Sequence, residues 1–244
     1  MRIADMVSIA DAFTILNALL GFGSIIAAIE GELELAYLLV VLAVLADGLD
    51  GMVARRFGSK WLIGDFLDIM ADTASFAVAP SVLMWLTYRE GLGDPDLGLT
   101  MVEGHVLVFI AGAVVITFGV LRLARFCYES SNESGNLFFT GLPVPATALL
   151  LVTMLLMGWP GVVVLLLTVG AAVLMVSDLK YPKARGKPGL VVGVLGFMLV
   201  ITRMAGERLH LVSEFLMYLT FMAMVLYIVL GPMSKGKVEE YIES

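Results

Sequence analysis

Ala46-Asp47-Gly48-Leu49-Asp50-Gly51-Met52-Val53-Ala54-Arg55 closes one long apolar run of this chain, and Gly64-Asp65-Phe66-Leu67-Asp68-Ile69-Met70-Ala71-Asp72 opens the next. Asp47 and Asp50 stand three residues apart and Asp68 and Asp72 four, so on helices each pair shares a face. Phe57 to Lys60 supplies a short turn, which makes the stretch a helical hairpin with both carboxylate pairs at similar depth. Asp72 lies twelve residues in from Lys60, about 18 Å along a helix at 1.5 Å per residue. The other aspartates are nearer the surface. Carboxylates inside a membrane helix cost about 2.5–3.5 kcal/mol each on insertion scales, and four that face one another repel unless a cation intervenes. Hard divalent cations favour such oxygens, and two in one cage would sit about 3.5–4 Å apart. The simpler use of acids at a helix end is ion pairing with Arg55, Arg56 and Lys60, and Asp65, outside both pairs, is read that way. Gly48, Gly51 and Ala54 leave one side of the helix without bulk, so a phosphate-bearing ligand can approach the backbone. Small residues also let membrane helices pack together.

The rest of the chain explains why these runs are membrane helices. Its 244 residues are 60% hydrophobic and only 15% charged, with a mean hydropathy of +0.97, where a soluble domain carries about 25% charged residues. Eight apolar segments are expected to cross the bilayer, at 8–29, 34–56, 61–88, 104–128, 141–158, 161–179, 189–205 and 209–231. The fold class is therefore all-α and polytopic, read as a single domain over 1–244 with a catalytic core over about 1–180 and extra helices over about 189–231. The first run holds Asp11 and Asn17 and no small-residue cleavage site, so it reads as a retained helix and not as a removable signal.

Charge sets the orientation. With the N-terminus inside, the cytoplasmic segments hold 12 of the 15 basic residues, and only Arg89, Arg203 and Arg208 fall outside. The positive-inside rule then places both termini and the aspartates on the cytoplasmic side of the cell membrane. A net charge of −7 argues against nucleic acid as a partner. Cys127 is the single cysteine, which excludes an internal disulfide. His105 and His210 fall on the outer side, away from the acids, and are not expected in catalysis. Lys180, Lys183, Arg185 and Lys187 read as anchors for anionic lipid headgroups.

The pattern Asp47-x2-Asp50-Gly51-x2-Ala54-Arg55-x8-Gly64-x3-Asp68-x3-Asp72 resembles, at every specified position, the signature of the CDP-alcohol phosphatidyltransferases. The resemblance implies a six-helix catalytic core, a homodimer, and two divalent cations, Mg2+ or Mn2+. It implies Asp47, Asp50 and Asp68 as metal ligands, Asp72 as ligand and general base, and Gly51, Ala54, Arg55 and Gly64 as the lining of a CDP pocket. The expected reaction is in-line attack by an alcohol on the lipid-side phosphorus of a CDP-linked lipid, with release of CMP.

Thr14-x2-Asn17-x3-Gly21, Ala71-Asp72-Thr73-Ala74-Ser75-Phe76-x3-Pro80, Arg122-Leu123-Ala124-Arg125-Phe126, Phe139 to Ala146 and Tyr181-Pro182-Lys183 are similar to the serine-specific branch of that family, the phosphatidylserine and archaetidylserine synthases. L-serine is therefore the expected acceptor. Arg122 and Arg125, near the cytoplasmic end of the fourth segment, can grip its carboxylate through paired hydrogen bonds or serve as positive-inside anchors. Asn17 and Ser75 are further candidates for the acceptor pocket. Glycerol phosphate or inositol phosphate as acceptor stays open. A cation transporter is the reading from another class, and it fits less well because its acids would sit near the midplane between repeated helices.

Overall fold

The computed structural model describes residues 8–57, 63–89, 92, 100–132, 138–182 and 187–234. Helix α1 (Ile9–Ile29) starts on a capping box, in which Ser8 accepts from the Asp11 amide and Asp11 from the Ser8 amide. A turn through Gly31 leads into α2 (Leu33–Phe57), which packs along α1. The Ser24 hydroxyl donates to the Ala36 carbonyl and pins that hairpin at its far end.

The expected single helix over 61–88 is interrupted. It consists of α3 (Ile63–Asp72), a π-helical turn over Thr73–Val78, and α4 (Ala79–Tyr88). Pro80 is the physical reason. In a continuous α-helix its ring would meet the Phe76 carbonyl, and it has no N–H to offer. The wider turn accommodates it, with the Ala79 amide bonded to the Ala74 carbonyl five residues back.

Helix α5 (Met101–Asn132) is longer than the 104–128 expected. Its 32 residues reach about 48 Å, beyond the roughly 30 Å of a hydrocarbon core. Two strands, β1 (Phe138–Thr140) and β2 (Lys180–Pro182), were not expected. They pair antiparallel with Phe139 opposite Tyr181. Between them run α6 (Val144–Leu156) and α7 (Gly161–Met175), and α8 (Lys187–Met204) and α9 (His210–Leu230) follow. Gly141, at φ +79°, lets β1 pass the end of α7, because a Cβ there would lie 2.0 Å from the Met175 carbonyl oxygen.

Helix α6 is apolar on all sides and almost wholly buried, as an all-round hydrophobic helix must be. It packs against α2, α4, α7 and α9, while α8 lies on α2 and α9. Around this core, Leu19, Phe22, Ile29, Leu211, Phe215 and Val229 point outward, and in a bilayer they meet lipid. Among the described residues, five helices are long and apolar enough to cross a membrane, and Val144–Leu156, Gly161–Met175 and Val194–Met204 are shorter apolar helices. The protein is an all-α polytopic membrane protein, with the small β-ribbon as its one departure among the described residues.

Candidate active site

Helices α2 and α3 bring Asp47, Asp50 and Asp68 together. Each offers a carboxylate oxygen, and the three oxygens lie within 4.8 Å of one another. Such a set is repulsive by itself and is all hard oxygen, which is what Mg2+ or Mn2+ coordinates. The residues therefore fit a divalent cation. Asp72, one turn beyond Asp68 on α3, is 7% exposed and is not part of this convergent trio. Gly51 and Gly64 are half-buried on α2 and α3 beside the acids. The side chains of Ala54 and Arg55 lie outside the described residues, as do those of Arg56 and Asp65, while Lys60, Lys183 and Arg185 fall outside entirely.

Helix α1 holds the carboxylates in place. Thr14, Asn17 and Gly21 recur at the spacing of one helix face. The Thr14 hydroxyl donates to Asp50 Oδ2 at 2.7 Å, and Asn17 Nδ2 donates to Asp72 Oδ1 at 3.1 Å. The Ser75 hydroxyl, in the π-helical turn, donates to the Asn17 carbonyl at 2.8 Å. Gly21 makes that approach possible, since a Cβ there would lie 2.4 Å from Ser75 Oγ and 2.7 Å from Ser75 Cα. A π turn directly after Asp72 thus faces Ser75 onto α1. Thr14 was visible in the sequence only as part of a motif, and its hold on Asp50 was not foreseen. The signal was there in its spacing with Asn17 and Gly21.

The two arginines of α5 part company. Arg122 is 5% exposed and within electrostatic reach of Asp72 and Asp47. Its guanidinium sits against the rings of Phe126 and Phe139, 5.3 and 5.1 Å from their centroids. Arg125 instead bonds the Val176 and Ser177 carbonyls at 3.5 and 3.3 Å and pairs with Asp178 and Glu129. It caps the open carbonyl end of α7, where a cation is favoured. Asp178 lies outside the spanning helices, and the hydrogen bond and charge of Arg125 hold its carboxyl below the usual carboxylate range. The ribbon closes this side: Lys180 Nζ donates to Thr140 Oγ1 at 2.6 Å, and the Tyr227 hydroxyl of α9 donates to the Pro182 carbonyl at 3.0 Å.

Comparison with known proteins agrees with this geometry. The model of the CDP-alcohol phosphatidyltransferase family matches residues 7–177, a span that takes in the aspartates, α1 and both arginines. The chain is 31% identical over 188 residues to the archaetidylserine synthase of Methanothermobacter thermautotrophicus, which covers 76% of this chain and 74% of that protein. It is 32% identical over 199 residues to the CDP-diacylglycerol–serine O-phosphatidyltransferase of Methanocaldococcus jannaschii, covering 82% and 86%. The enzyme of that name from Helicobacter pylori is 32% identical over 195 residues, 75% of each chain. This chain belongs to the CDP-alcohol phosphatidyltransferase family.

Proposed function

We propose that the protein transfers a phosphatidyl or archaetidyl group from a CDP-linked lipid to the hydroxyl of L-serine and releases CMP. The convergence of Asp47, Asp50 and Asp68 carries the reading, and the names of the relatives support serine as the acceptor.

In this reading Asp47, Asp50 and Asp68, with Asp72 completing the set, hold two divalent cations. When bound, these polarise the diphosphate and offset the charge of departing CMP. Gly51 and Gly64, small residues beside the acids, together with Ala54 and Arg55, receive the cytidine diphosphate. Asp72 is the general base. The Asn17 amide occupies one of its oxygens and fixes its rotamer, so that it takes the proton of the serine hydroxyl. The hydroxyl oxygen then bonds to the lipid-side phosphorus as the phosphorus–oxygen bond to CMP breaks. The site opens to the cytoplasm, where serine is dissolved, while the lipid tails stay in the bilayer. A homodimer in the cell membrane, with both termini cytoplasmic, belongs to the same reading.

The test uses purified protein in detergent with a CDP-lipid, Mg2+ or Mn2+, and radiolabelled L-serine. Serine-dependent CMP release with label in the lipid, both abolished in Asp72→Asn, is the expected result. CMP release with glycerol phosphate or inositol phosphate and none with serine would overturn the acceptor. Failure of every one of these alcohols to release CMP, with either CDP-diacylglycerol or CDP-archaeol, would overturn the reaction.

A further inference from the structure

The end of the bundle away from the aspartates carries a polar cavity of its own. Glu34 stands in the first turn of α2, and Asp47 lies thirteen residues further along the same helix, about 20 Å at 1.5 Å per residue. Around Glu34 stand Arg203 from the last turn of α8, Gly206 from the turn that follows, and His210 and Ser213 from the first turn of α9. These five residues line a cavity of about 240 Å³. None of them has a part in the reaction above.

The cavity offers opposite charges side by side. Arg203 Nε lies 2.6 Å from Glu34 Oε1, yet Nε is buried and makes no hydrogen bond among the described residues. The two groups are charges in contact and not a closed fork. The Glu34 side chain is 58% exposed and that of Arg203 17%, so the carboxylate stays open to a cation while the guanidinium lines the cavity. His210 contributes a ring whose Nε2 is 3.6 Å from Glu214, and the Ser213 hydroxyl is turned to the His210 carbonyl. Leu35, Met204 and Leu211, the sequence neighbours of Glu34, Arg203 and His210, are all exposed. In a bilayer such side chains meet lipid tails, so the cavity borders the headgroup layer.

We propose that this cavity binds the headgroup of a zwitterionic phospholipid from the leaflet opposite the aspartates, with its phosphate on Arg203 and His210 and its ammonium on Glu34. A guanidinium takes two phosphate oxygens through parallel hydrogen bonds, and basic cavities between membrane helices suit lipid headgroups. A headgroup that is only anionic would set its phosphate beside Glu34 with no cation to offset that carboxylate. The pair therefore selects a headgroup that carries both charges. A lipid held there ties α2 to α8 and α9. A water-soluble phosphate ester has the same charges but no tails to lie along Leu35, Met204 and Leu211.

The test titrates delipidated full-length protein in detergent and follows the midpoint of thermal unfolding. The ligands are two phospholipids of identical tails, with ethanolamine or glycerol headgroups, and glycerophosphoethanolamine, which has the headgroup alone. For wild type, the ethanolamine lipid at 100-fold its half-saturating concentration is expected to raise the midpoint by about 5 °C. The glycerol lipid should raise it much less, and the headgroup alone not at all. Arg203→Gln abolishes the shift with either lipid, Arg203→Lys keeps part of it, and Glu34→Gln brings the two lipids to the same shift. If Arg203→Gln does not purify as a folded protein, Arg203→Lys and Glu34→Gln decide the matter. Equal shifts with the two lipids in wild type would overturn the proposal, and so would an equal shift with the headgroup alone. Variants that lower the midpoint of the lipid-free protein but leave the lipid-induced shift intact would reduce Arg203 and Glu34 to a structural brace. The readout does not use CMP release, so this site and the transfer reaction stand or fall separately.

Discussion

Thr14 shows how much of this site is carried by residues that bear no charge. Its hydroxyl is buried against Asp50, an aspartate of the convergent trio, and a partner that orients a metal ligand commonly changes metal affinity 10–100-fold when removed. Thr14→Val keeps the shape and removes the donor. We expect the Mg2+ or Mn2+ concentration for half-maximal CMP release to rise by about 10-fold or more, with Thr14→Ser restoring most of it. Direct titration of the metal by calorimetry should move in parallel. An unchanged metal requirement would mean that Asp50 is held by its other contacts. Asn17 does the corresponding work at Asp72, with its backbone carbonyl engaged by Ser75 at the same time.

At the scale of elements, the join between α5, α7 and the β-ribbon shapes the cytoplasmic face. Arg125 makes it by capping α7 and pairing with Asp178. Arg125→Gln should lower the unfolding midpoint in detergent modestly, since exposed pairs are weak and screened by salt, and should leave the KM for serine alone. The pH dependence follows from Asp178. Its folded-state carboxyl is held below the ordinary range, so the contribution of the pair is present at neutral pH. It is lost as pH falls below about 4, through the folded-state value. The stability gap between wild type and Arg125→Gln should narrow on acidification, and a gap that widened would contradict the assignment. The π-helical turn belongs to this scale too: Pro80 forbids a regular α-helical turn, and the turn presents Ser75 to α1.

For the whole molecule, the arrangement of charge makes a topological prediction. The trio of carboxylates, Arg122 and the ribbon lie toward the end of the bundle that the positive-inside rule predicts to be cytoplasmic. Glu32 lies at the opposite end, in the turn between α1 and α2, and both it and Asp178 are exposed. In a Cys127→Ser background, Glu32→Cys should react with a membrane-impermeant maleimide in intact cells. Asp178→Cys should react only after permeabilisation. The reverse pattern would invert the orientation and place the site outside.

The sequence alone determined that the chain is apolar and helical and that Asp47, Asp50 and Asp68 lie at helical spacing on their helices, because both are local. Apolar run length sets a spanning helix, and spacings of three and four residues set a shared face whatever surrounds them. The family signature is legible for the same reason, since its residues fall within one short stretch, 47–72. Three-residue strands have no periodicity to read, so the ribbon of Phe138–Thr140 with Lys180–Pro182 was invisible. The break after Asp72 was signalled only by Pro80, which in sequence fits a kink as well as a π turn. The rest was decided by tertiary packing. Thr14 meets Asp50 across 36 residues of chain, Asn17 meets Asp72 across 55, and Ser75 reaches back 58 to Asn17. Arg122 and Arg125 look alike in sequence. Only the folded chain set one, its Nε without a hydrogen-bond partner, against two aromatic rings and made the other a brace on the carbonyl end of α7.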